Sequence, residues 1–332
     1  MSSTQSAVAS THLFDQYQTL YGRLESVIPA WEWSTFLPYI DAIEHLKREK
    51  NALVIAHNYQ TPEVFHGVAD LTGDSLAMAR QAQNTNADVI VVCGVYFMAE
   101  TAKLLNPDKT VLIADANAGC SLAASITAAD VRQLRLQFPG APVVSYVNTS
   151  AAVKAESDLC CTSSNAVAAV ESLGVDEVIF IPDQYLGRYV AEQTTVNVRL
   201  WNGSCEVHER FTGSELQAYR DQTGAYVLAH PECPQDVLQA ADYVGSTAGM
   251  IHHLEEKHPP RVLLMTECSM SDNVSVAHPD IEFVRPCNLC PHMKTITLAK
   301  IQTALETLAP AVEIKDSIAP LARRALERML EI

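Results

Sequence analysis

Short apolar runs alternate with amphipathic segments in three similar blocks along the chain. The runs are rich in β-branched residues and short enough to be buried strands, for example ALVIA, VIVVC and TVLI in the first block. Strands that alternate with helices indicate parallel sheets with helices on both faces. Because crossovers between parallel strands are right-handed, the carboxyl ends of the strands of one sheet are expected on one side.

Two sets of residues keep the same register in all three blocks. Cys120, Cys205 and Cys290 each follow the last apolar run of a block and are spaced 85 residues apart. Separately, the aspartates 70, 158 and 242 each stand five residues before a hydroxyl side chain. Repeats with a common period pack around a common axis, so one loop of each can meet there. The sequence therefore predicts a three-thiolate metal site with one open coordination position.

The repeats divide the chain into four predicted parts. Residues 1–38 form an N-terminal helical extension, and repeats one, two and three cover 39–122, 123–207 and 208–292. Residues 293–332 are predicted to be helical and to pack back on the first repeat. The strand and helix pattern thus predicts an α/β protein of three similar domains.

Composition and charge narrow the class of protein. The formal net charge is −16, which argues against binding to nucleic acid or to anionic membrane surfaces. No apolar stretch is long enough to cross a bilayer, and the N-terminus does not resemble a secretory signal. Nine cysteines without such a signal favour a reducing cytoplasm, with metal-ligand or catalytic roles instead of disulfides. We therefore expect a cytoplasmic metalloenzyme.

Polar side chains cluster at the predicted carboxyl ends of strands, where ligands bind in parallel α/β sheets. Three such strand ends carry His57-Asn58-Tyr59, Tyr146-Val147-Asn148-Thr149 and His230-Pro231-Glu232. The second turn of each repeat opens a helix at a hydroxyl: Ser75, Ser163 or the pair Ser246-Thr247. Helix N-termini and hydroxyls together can hold phosphate or carboxylate without a positive side chain. The pattern predicts an anion-binding site in an acidic protein.

The same residues also have purely structural interpretations, which compete with the predicted binding roles. A single Ser or Thr before a helix is usually only a cap, although three in register favour a binding role. His208 could complete a Cys-x-x-His zinc site with Cys205, but a role near the metal as proton donor or substrate contact is favoured. In the Cys287-x-x-Cys290 motif, Cys290 matches the repeat register and Cys287 is extra. Most other cysteines, including Cys268, are expected to be buried packing residues.

Many collinear motifs of the chain resemble the quinolinate synthase family, over roughly residues 35 to 310. They are HNYQTPE, GDSLAMA, GVYFMAETAKLLNPDKTVLIAD, AGCSLA, SYVNTSAAVKAESD, CTSSNAV, WNGSCEVH, HPEC, GSTAGM and CNLCPHMK. The resemblance implies three αβα three-layer domains, related by pseudo-threefold symmetry, around a central active-site funnel. It implies a transferase that condenses iminoaspartate with dihydroxyacetone phosphate, with loss of phosphate and two waters, to give quinolinate for NAD biosynthesis.

The resemblance also assigns the cofactor and the site residues. One 4Fe–4S cluster per chain is expected on Cys120, Cys205 and Cys290, with an open iron acting as Lewis acid. Glu232 is the expected general base with His230 tuning its pKa, Tyr59 is expected to exchange a proton with an enol oxygen, and His208 is also expected to be catalytic. The implied substrate-binding residues are His57, Ser75, Tyr146, Asn148, Ser163, His230, Glu232, Ser246 and Thr247.

Two departures and two rival functions remain. Ala114 stands where many relatives have proline, and CNLC lacks the third cysteine of the CxxCxxC version, which argues against regulation by a disulfide. A zinc-dependent lyase acting on a small anion would use Cys205, His208 and another thiolate. A non-enzymatic anion-binding protein would keep its cysteines in the core. The expected partners are the two small-molecule substrates and, transiently, L-aspartate oxidase, with no nucleic acid and no membrane.

Overall fold

The computed structural model describes residues 13–332 and contains three four-stranded sheets. The first twelve residues of the predicted N-terminal extension lie outside the described residues. The strands are β1 Ala52–His57, β2 Leu71–Gly73, β3 Val89–Cys93, β4 Thr110–Ile113, β5 Val143–Tyr146, β6 Leu159–Cys161, β7 Glu177–Ile181, β8 Asn197–Leu200, β9 Tyr226–Ala229, β10 Tyr243–Val244, β11 Arg261–Met265 and β12 Glu282–Val284.

The three sheets share one topology. Their strand orders are β2-β1-β3-β4, β6-β5-β7-β8 and β10-β9-β11-β12, and every pairing is parallel. The first strand of each repeat is therefore central, and the fourth, which precedes the register cysteine, lies at an edge. The prediction of parallel α/β repeats is confirmed.

Helices connect the strands and cover the sheets. Their bounds are Gln18–Leu24, Ala30–Lys50, Pro62–Phe65, Ser75–Gln83, Tyr96–Leu105, Ser121–Ala124, Ala128–Gln137, Ala151–Ala155, Ala166–Ser172, Gln184–Ala191, Gly213–Thr223, Gln235–Ala240, Thr247–Lys257, Ser269–Ala277, Leu298–Thr307 and Ala319–Leu330. Side-chain caps define several of these starts. Thr127 and Asp130 form a reciprocal capping box, and Thr212 caps the helix that begins at Gly213.

The register aspartates have a structural role that recurs in each repeat. Each carboxylate accepts a hydrogen bond from a backbone N–H of the first strand or its start, from Val54, Val143 or Val227, at 2.7–2.8 Å. Each also pairs with a cation at 2.6–2.7 Å: Lys47 with Asp70, Arg135 with Asp158, and Arg220 with Asp242. The aspartate thus links the first strand to the preceding helix. The hydroxyl residue five positions later lies close to the carboxyl ends of the strands.

The core is built from strands buried on both faces. All five residues of β3, VIVVC, are buried, and the corresponding strand β7 is buried from Val178 to Ile181. Continuous apolar runs are expected where helices cover both faces of a parallel sheet. One hydrophobic cluster extends through the first two sheets and the C-terminal helices, with separate clusters in the third sheet.

The terminal helices contact more than one repeat. One continuous helix, Ala30–Lys50, runs through Pro38. The helix Leu298–Thr307 packs on this helix and on β3 and β4 of the first sheet. The last helix, Ala319–Leu330, packs mainly on β6 and the helix Ala151–Ala155 of the second repeat, and Arg323 also donates to the Leu104 carbonyl of the first. Its apolar face thus joins two repeats.

The structure corrects the expectation for one pair of cysteines. Cys268 and Cys287 form a disulfide, although the composition predicts cysteines without such bonds and the resemblance argues against disulfide regulation. The pairing is possible because the loop after β12 returns to the carboxyl end of β11, where the Cys268 N–H donates to the Asn288 carbonyl. Across residues 13–332, no helix combines the length and the apolar character needed to cross a membrane.

Candidate functional site

One cavity lies where loops and strand ends of all three sheets meet. It is lined by thirteen of the fourteen residues proposed from the sequence, namely His57, Tyr59, Ser75, Cys120, Tyr146, Asn148, Ser163, Cys205, His208, His230, Glu232, Thr247 and Cys290. The exception, Ser246, is buried and caps the helix that begins at Thr247. The structure therefore brings together residues that lie far apart in the sequence.

The three register cysteines occupy equivalent positions in this cavity. Each follows the fourth strand of its sheet, and each sulfur receives backbone N–H groups from the residues two and three positions later. Burial raises the pKa of Cys120 to about 12 and raises those of Cys205 and Cys290 as well. The repeated N–H groups act in the opposite direction, because they stabilise a thiolate. The sulfurs are thus arranged to become thiolates when a metal centre compensates their charge.

Glu232 is the centre of the hydrogen-bond network beside these sulfurs. Its Oε1 accepts from the Tyr146 hydroxyl at 2.5 Å, and its Oε2 lies 3.0 Å from His208 Nδ1. Burial acts to raise the pKa of Glu232, but the neighbouring His208 and the hydrogen bonds from His208 and Tyr146 outweigh it and hold the pKa below its usual range. Glu232 is therefore an ionised carboxylate, 3% exposed, that can only accept hydrogen bonds.

His208 lies between the carboxylate and a sulfur. Its Nδ1 is 3.2 Å from Cys205 Sγ, and one ligand atom each of Cys205, His208 and Glu232 lie within 4.8 Å of one another. This group of donors could bind a single metal ion. It contains two of the ligands, Cys205 and His208, that the zinc-dependent alternative would use. The other two register thiols lie outside this group, in the same cavity.

Two other histidines are held neutral. Burial lowers the pKa of His230 to about 3 and that of His57 to about 4, although nearby carboxylates act to raise both. His230 Nε2 lies 3.2 Å from Ser163 Oγ, and its ring stacks on His208 with 4.8 Å between centroids. Neutral imidazoles can donate to or accept from a substrate without adding charge.

Two of the hydroxyls predicted to bind anions lie at helix starts that face the cavity. Ser75 and Thr247 are the first residues of their helices, where free N–H groups give a positive end. Thr247 Oγ1 accepts from Asn58 Nδ2 at 2.8 Å, so its own hydrogen remains available to donate. Asn148 Oδ1 is buried and finds no hydrogen-bond partner among the described residues, as expected of an atom that binds a ligand.

The sequence analysis did not single out several polar residues around the site. Thr266, Glu267 and Lys294 are the main ones, together with Asn58, which was only noted as part of a strand end. Glu267 is fully buried, pairs with Lys294 Nζ at 3.0 Å and accepts from the Cys290 N–H at 3.2 Å. Lys294 Nζ also donates to the Tyr59 carbonyl at 2.7 Å. The polar pair Thr266-Glu267 after β11 could have signalled these contacts, because it stands at a strand carboxyl end.

Comparison with known proteins agrees with the geometry. Residues 41–331 match the family described as "NadA: Quinolinate synthetase A protein". "Quinolinate synthase 2" of Mesorhizobium japonicum is 62% identical over 314 residues, covering 94% of this chain and 97% of that protein. "Quinolinate synthase" of Agrobacterium fabrum is 60% identical over 95% of this chain and 91% of its own length. The relative in Xylella fastidiosa with the same name is 62% identical over 88% and 87%. The chain belongs to the quinolinate synthetase A family.

Proposed function

We propose that this chain condenses iminoaspartate with dihydroxyacetone phosphate, with loss of phosphate and two waters, to form quinolinate for NAD biosynthesis. Family membership supports the reaction. The main structural support for this reaction is that three thiols, an ionised carboxylate and several neutral hydrogen-bond donors line one cavity. Both substrates are anions, and quinolinate is a dicarboxylate, so a cavity with neutral donors at helix starts is chemically suited to them.

The cofactor in this proposal is one 4Fe–4S cluster per chain, held by Cys120, Cys205 and Cys290. The sulfurs suit such a cluster because each cysteine is partly buried and each sulfur receives two backbone N–H groups at equivalent positions. When bound, the cluster would supply a Lewis acid that helps a substrate oxygen to leave as water.

The anionic groups of the substrates would be held by neutral groups. No Lys or Arg is among the residues found to line the cavity in the described part of the chain. Ser75 and Thr247 would donate through hydroxyls at helix starts and Ser163 through a hydroxyl in the turn before a helix, with Asn148 and His57 supplying further contacts. Substrate affinity should therefore depend on several hydrogen bonds of modest strength instead of one ion pair.

Proton movements would be divided between a base and a phenol. Glu232 is ionised and buried, so its oxygens can accept a proton from a substrate carbon or nitrogen. Burial raises the pKa of Tyr59 well above its usual range, so Tyr59 is protonated and can donate from its hydroxyl to an enol oxygen. His208 and His230 border Glu232 and would stabilise its charge or pass on its proton.

Three further parts of the proposal concern architecture and setting. We infer that the three repeats are related by a pseudo-threefold axis around the cavity, which forms a funnel, and that their boundaries lie near residues 122 and 207. The proposed setting is the cytoplasm. A transient contact with L-aspartate oxidase would deliver iminoaspartate, and a change in sedimentation of the mixed proteins would detect it.

The alternative is a zinc-dependent lyase that acts on a small anion. The proximity of Cys205, His208 and Glu232 favours binding of a single metal ion. A site made of these three residues does not explain why the sulfur of Cys290 receives the same backbone N–H contacts as the other two register cysteines. The family relationship does not favour it.

Anaerobic purification tests the cofactor and the reaction together. The protein should be brown, contain iron and sulfide, and form quinolinate, whereas a zinc protein is colourless. Alanine at Cys120, Cys205 or Cys290 should give colourless, inactive protein. Cys287→Ala is the matched control, since it lies in the same loop as Cys290 and should keep about four irons per chain. Loss of iron in Cys287→Ala with retention in Cys290→Ala would overturn the ligand assignment.

A further inference from the structure

Lys154 is a buried lysine behind the wall of the cavity. It is 0% exposed, and it is not among the residues found to line the cavity in the described part of the chain. It belongs to the short helix Ala151–Ala155, which follows β5. Burial of an ammonium group is costly unless its hydrogens find acceptors. The hydrogen bonds of Lys154 must therefore account for its position.

The two acceptors of Lys154 are backbone carbonyls on either side of Asn148. Lys154 Nζ donates to the Val147 carbonyl at 2.8 Å and to the Thr149 carbonyl. Nζ also lies over the ring of Phe97, 5.4 Å from its centroid, which is within range of a cation–π contact. One side chain thus holds the backbone both before and after Asn148.

Asn148 depends on this backbone for its direction. It lines the cavity, and its Oδ1 is buried without a hydrogen-bond partner among the described residues. Since no described group holds this oxygen, the backbone that carries the side chain determines where the carboxamide points. The Thr149 hydroxyl also donates to the Tyr146 carbonyl at 3.1 Å, so the turn is fixed at both ends.

The repeat fold does not require a lysine at this position. Lys154 is the fourth residue of the helix that follows the first strand of its repeat. The fourth residues of the equivalent helices are Phe65 in the first repeat and Leu238 in the third. Both are apolar, and their sheets form with the same strand order. The ammonium group is thus specific to the repeat that presents Asn148.

We propose that Lys154 is a positioning residue for substrate binding, which holds the backbone around Asn148 so that the Asn148 carboxamide faces the substrate. This inference rests on the proposed function, because it assigns Asn148 to substrate binding. Lys154 does not line the cavity, so it acts on a substrate through Asn148. Its loss should therefore affect substrate affinity more than kcat.

A double-mutant cycle tests whether Lys154 acts through Asn148. Lys154→Met keeps the apolar stem of the side chain and removes both hydrogen bonds. It should weaken binding of quinolinate to the anaerobically purified holoenzyme by about 10-fold in calorimetry, and raise KM with a smaller change in kcat. In the Asn148→Ala background, Lys154→Met should cause no further loss. Losses that add in full would overturn the inference, because Lys154 would then act by another route.

Lys47→Met is the matched control. Lys47 is also a buried lysine, and it donates to the Val68 carbonyl at 2.9 Å in a part of the first repeat that does not line the cavity. Both variants should be less stable in urea, but only Lys154→Met should bind quinolinate more weakly. If Lys154→Met does not fold, Lys154→Gln takes its place in the cycle. Its side chain is one atom shorter and cannot reach both carbonyls, so wild-type affinity in Lys154→Gln would overturn the inference.

Hydrogen–deuterium exchange separates this inference from the proposed function. Loss of the two hydrogen bonds should make the amides of residues 147–151 exchange about 10-fold faster in Lys154→Met, whereas Lys47→Met should leave them unchanged. Wild-type protein that neither forms nor binds quinolinate would refute the proposed function, while the exchange would still decide whether Lys154 holds the turn. Exchange of this turn at the wild-type rate in Lys154→Met would overturn the inference.

Discussion

The hydroxyl of Tyr146 donates to Glu232 Oε1 at 2.5 Å, which joins the end of a strand in the second sheet to the third. Both side chains are buried, and burial together with the Glu232 charge raises the pKa of Tyr146 well above its usual range. Tyr146 is therefore a permanent donor at neutral pH. The contact stabilises an ionised carboxylate that is largely shielded from bulk solvent.

Removing this donor should destabilise the ionised form of Glu232. In Tyr146→Phe, a buried carboxylate loses a charge-assisted hydrogen bond of about 1.5–3 kcal/mol. We expect turnover to fall by about 10- to 100-fold, and the pH at which activity is lost on the acidic side to rise, because the pKa of Glu232 moves up. Steady-state kinetics against pH measure both effects. Tyr226→Phe removes a hydroxyl that bonds His253 outside the cavity, and it should leave the profile unchanged. Identical profiles for the two variants would contradict a role for Tyr146.

The hydroxyls at the helix starts should determine substrate affinity. Ser75→Ala, Ser163→Ala and Thr247→Val should each weaken binding of dihydroxyacetone phosphate or iminoaspartate by about 1–3 kcal/mol, with the metal content intact. Ser150→Ala is the control, because Ser150 caps a helix through the Val153 N–H and does not line the cavity. It should lower stability by about 1 kcal/mol and leave KM unchanged. If all three cavity variants behave like Ser150→Ala, these hydroxyls are only caps.

The register aspartates should contribute to stability and not to catalysis. Asp158→Ala removes an acceptor of the Val143 N–H and of Arg135, so we expect a loss of about 1–3 kcal/mol in the free energy of unfolding. Arg135→Ala removes the partly exposed ion pair and two hydrogen bonds to the Glu156 carbonyl, but it leaves the contact of Asp158 with the Val143 N–H, so it should cost less than Asp158→Ala. Urea unfolding measures both. A larger loss in Arg135→Ala than in Asp158→Ala would show that the contacts of Arg135, and not the backbone contact of Asp158, matter.

Buried histidines should make the fold sensitive to acid. Burial lowers the pKa of His66, which is outside the cavity, to about 4, and Arg23 acts in the same direction. The unfolded chain binds this proton near pH 6.5 and the folded chain only near pH 4, so stability falls as pH falls through that window. The loss from this residue is at most about 3 kcal/mol. Unfolding curves between about pH 7 and about pH 4.5 should be less pH-dependent in His66→Gln. A variant with the wild-type slope would refute this assignment.

The sequence allowed the sheets and most of the cavity lining to be predicted for a physical reason. Buried parallel strands read as continuous β-branched runs, and polar residues at their carboxyl ends must meet at one edge. The equal spacing of Cys120, Cys205 and Cys290 then placed one sulfur in each repeat. These signals are local or periodic, so they can be recognised in the sequence without knowledge of the packing.

Other features depend on packing between distant segments. The helix Ala30–Lys50 continues through Pro38 and packs against the helix Leu298–Thr307, more than 240 residues later in the chain. The disulfide between Cys268 and Cys287 and the hydrogen bond between Tyr59 and Thr266 arise only when the loop after β12 and the segment after β1 approach the end of β11. Neither spacing nor polarity identifies such partners.

The distribution of the cavity lining over all three sheets affects how the protein can mature. Cys290 follows the other two register cysteines in the chain, and the helix Ala319–Leu330 joins the first repeat to the second. During synthesis, the third sulfur is therefore made after the other two, and a nascent chain that still lacks it contains only a partial cavity. A cofactor that needs all three sulfurs can be bound only after the third repeat has been made.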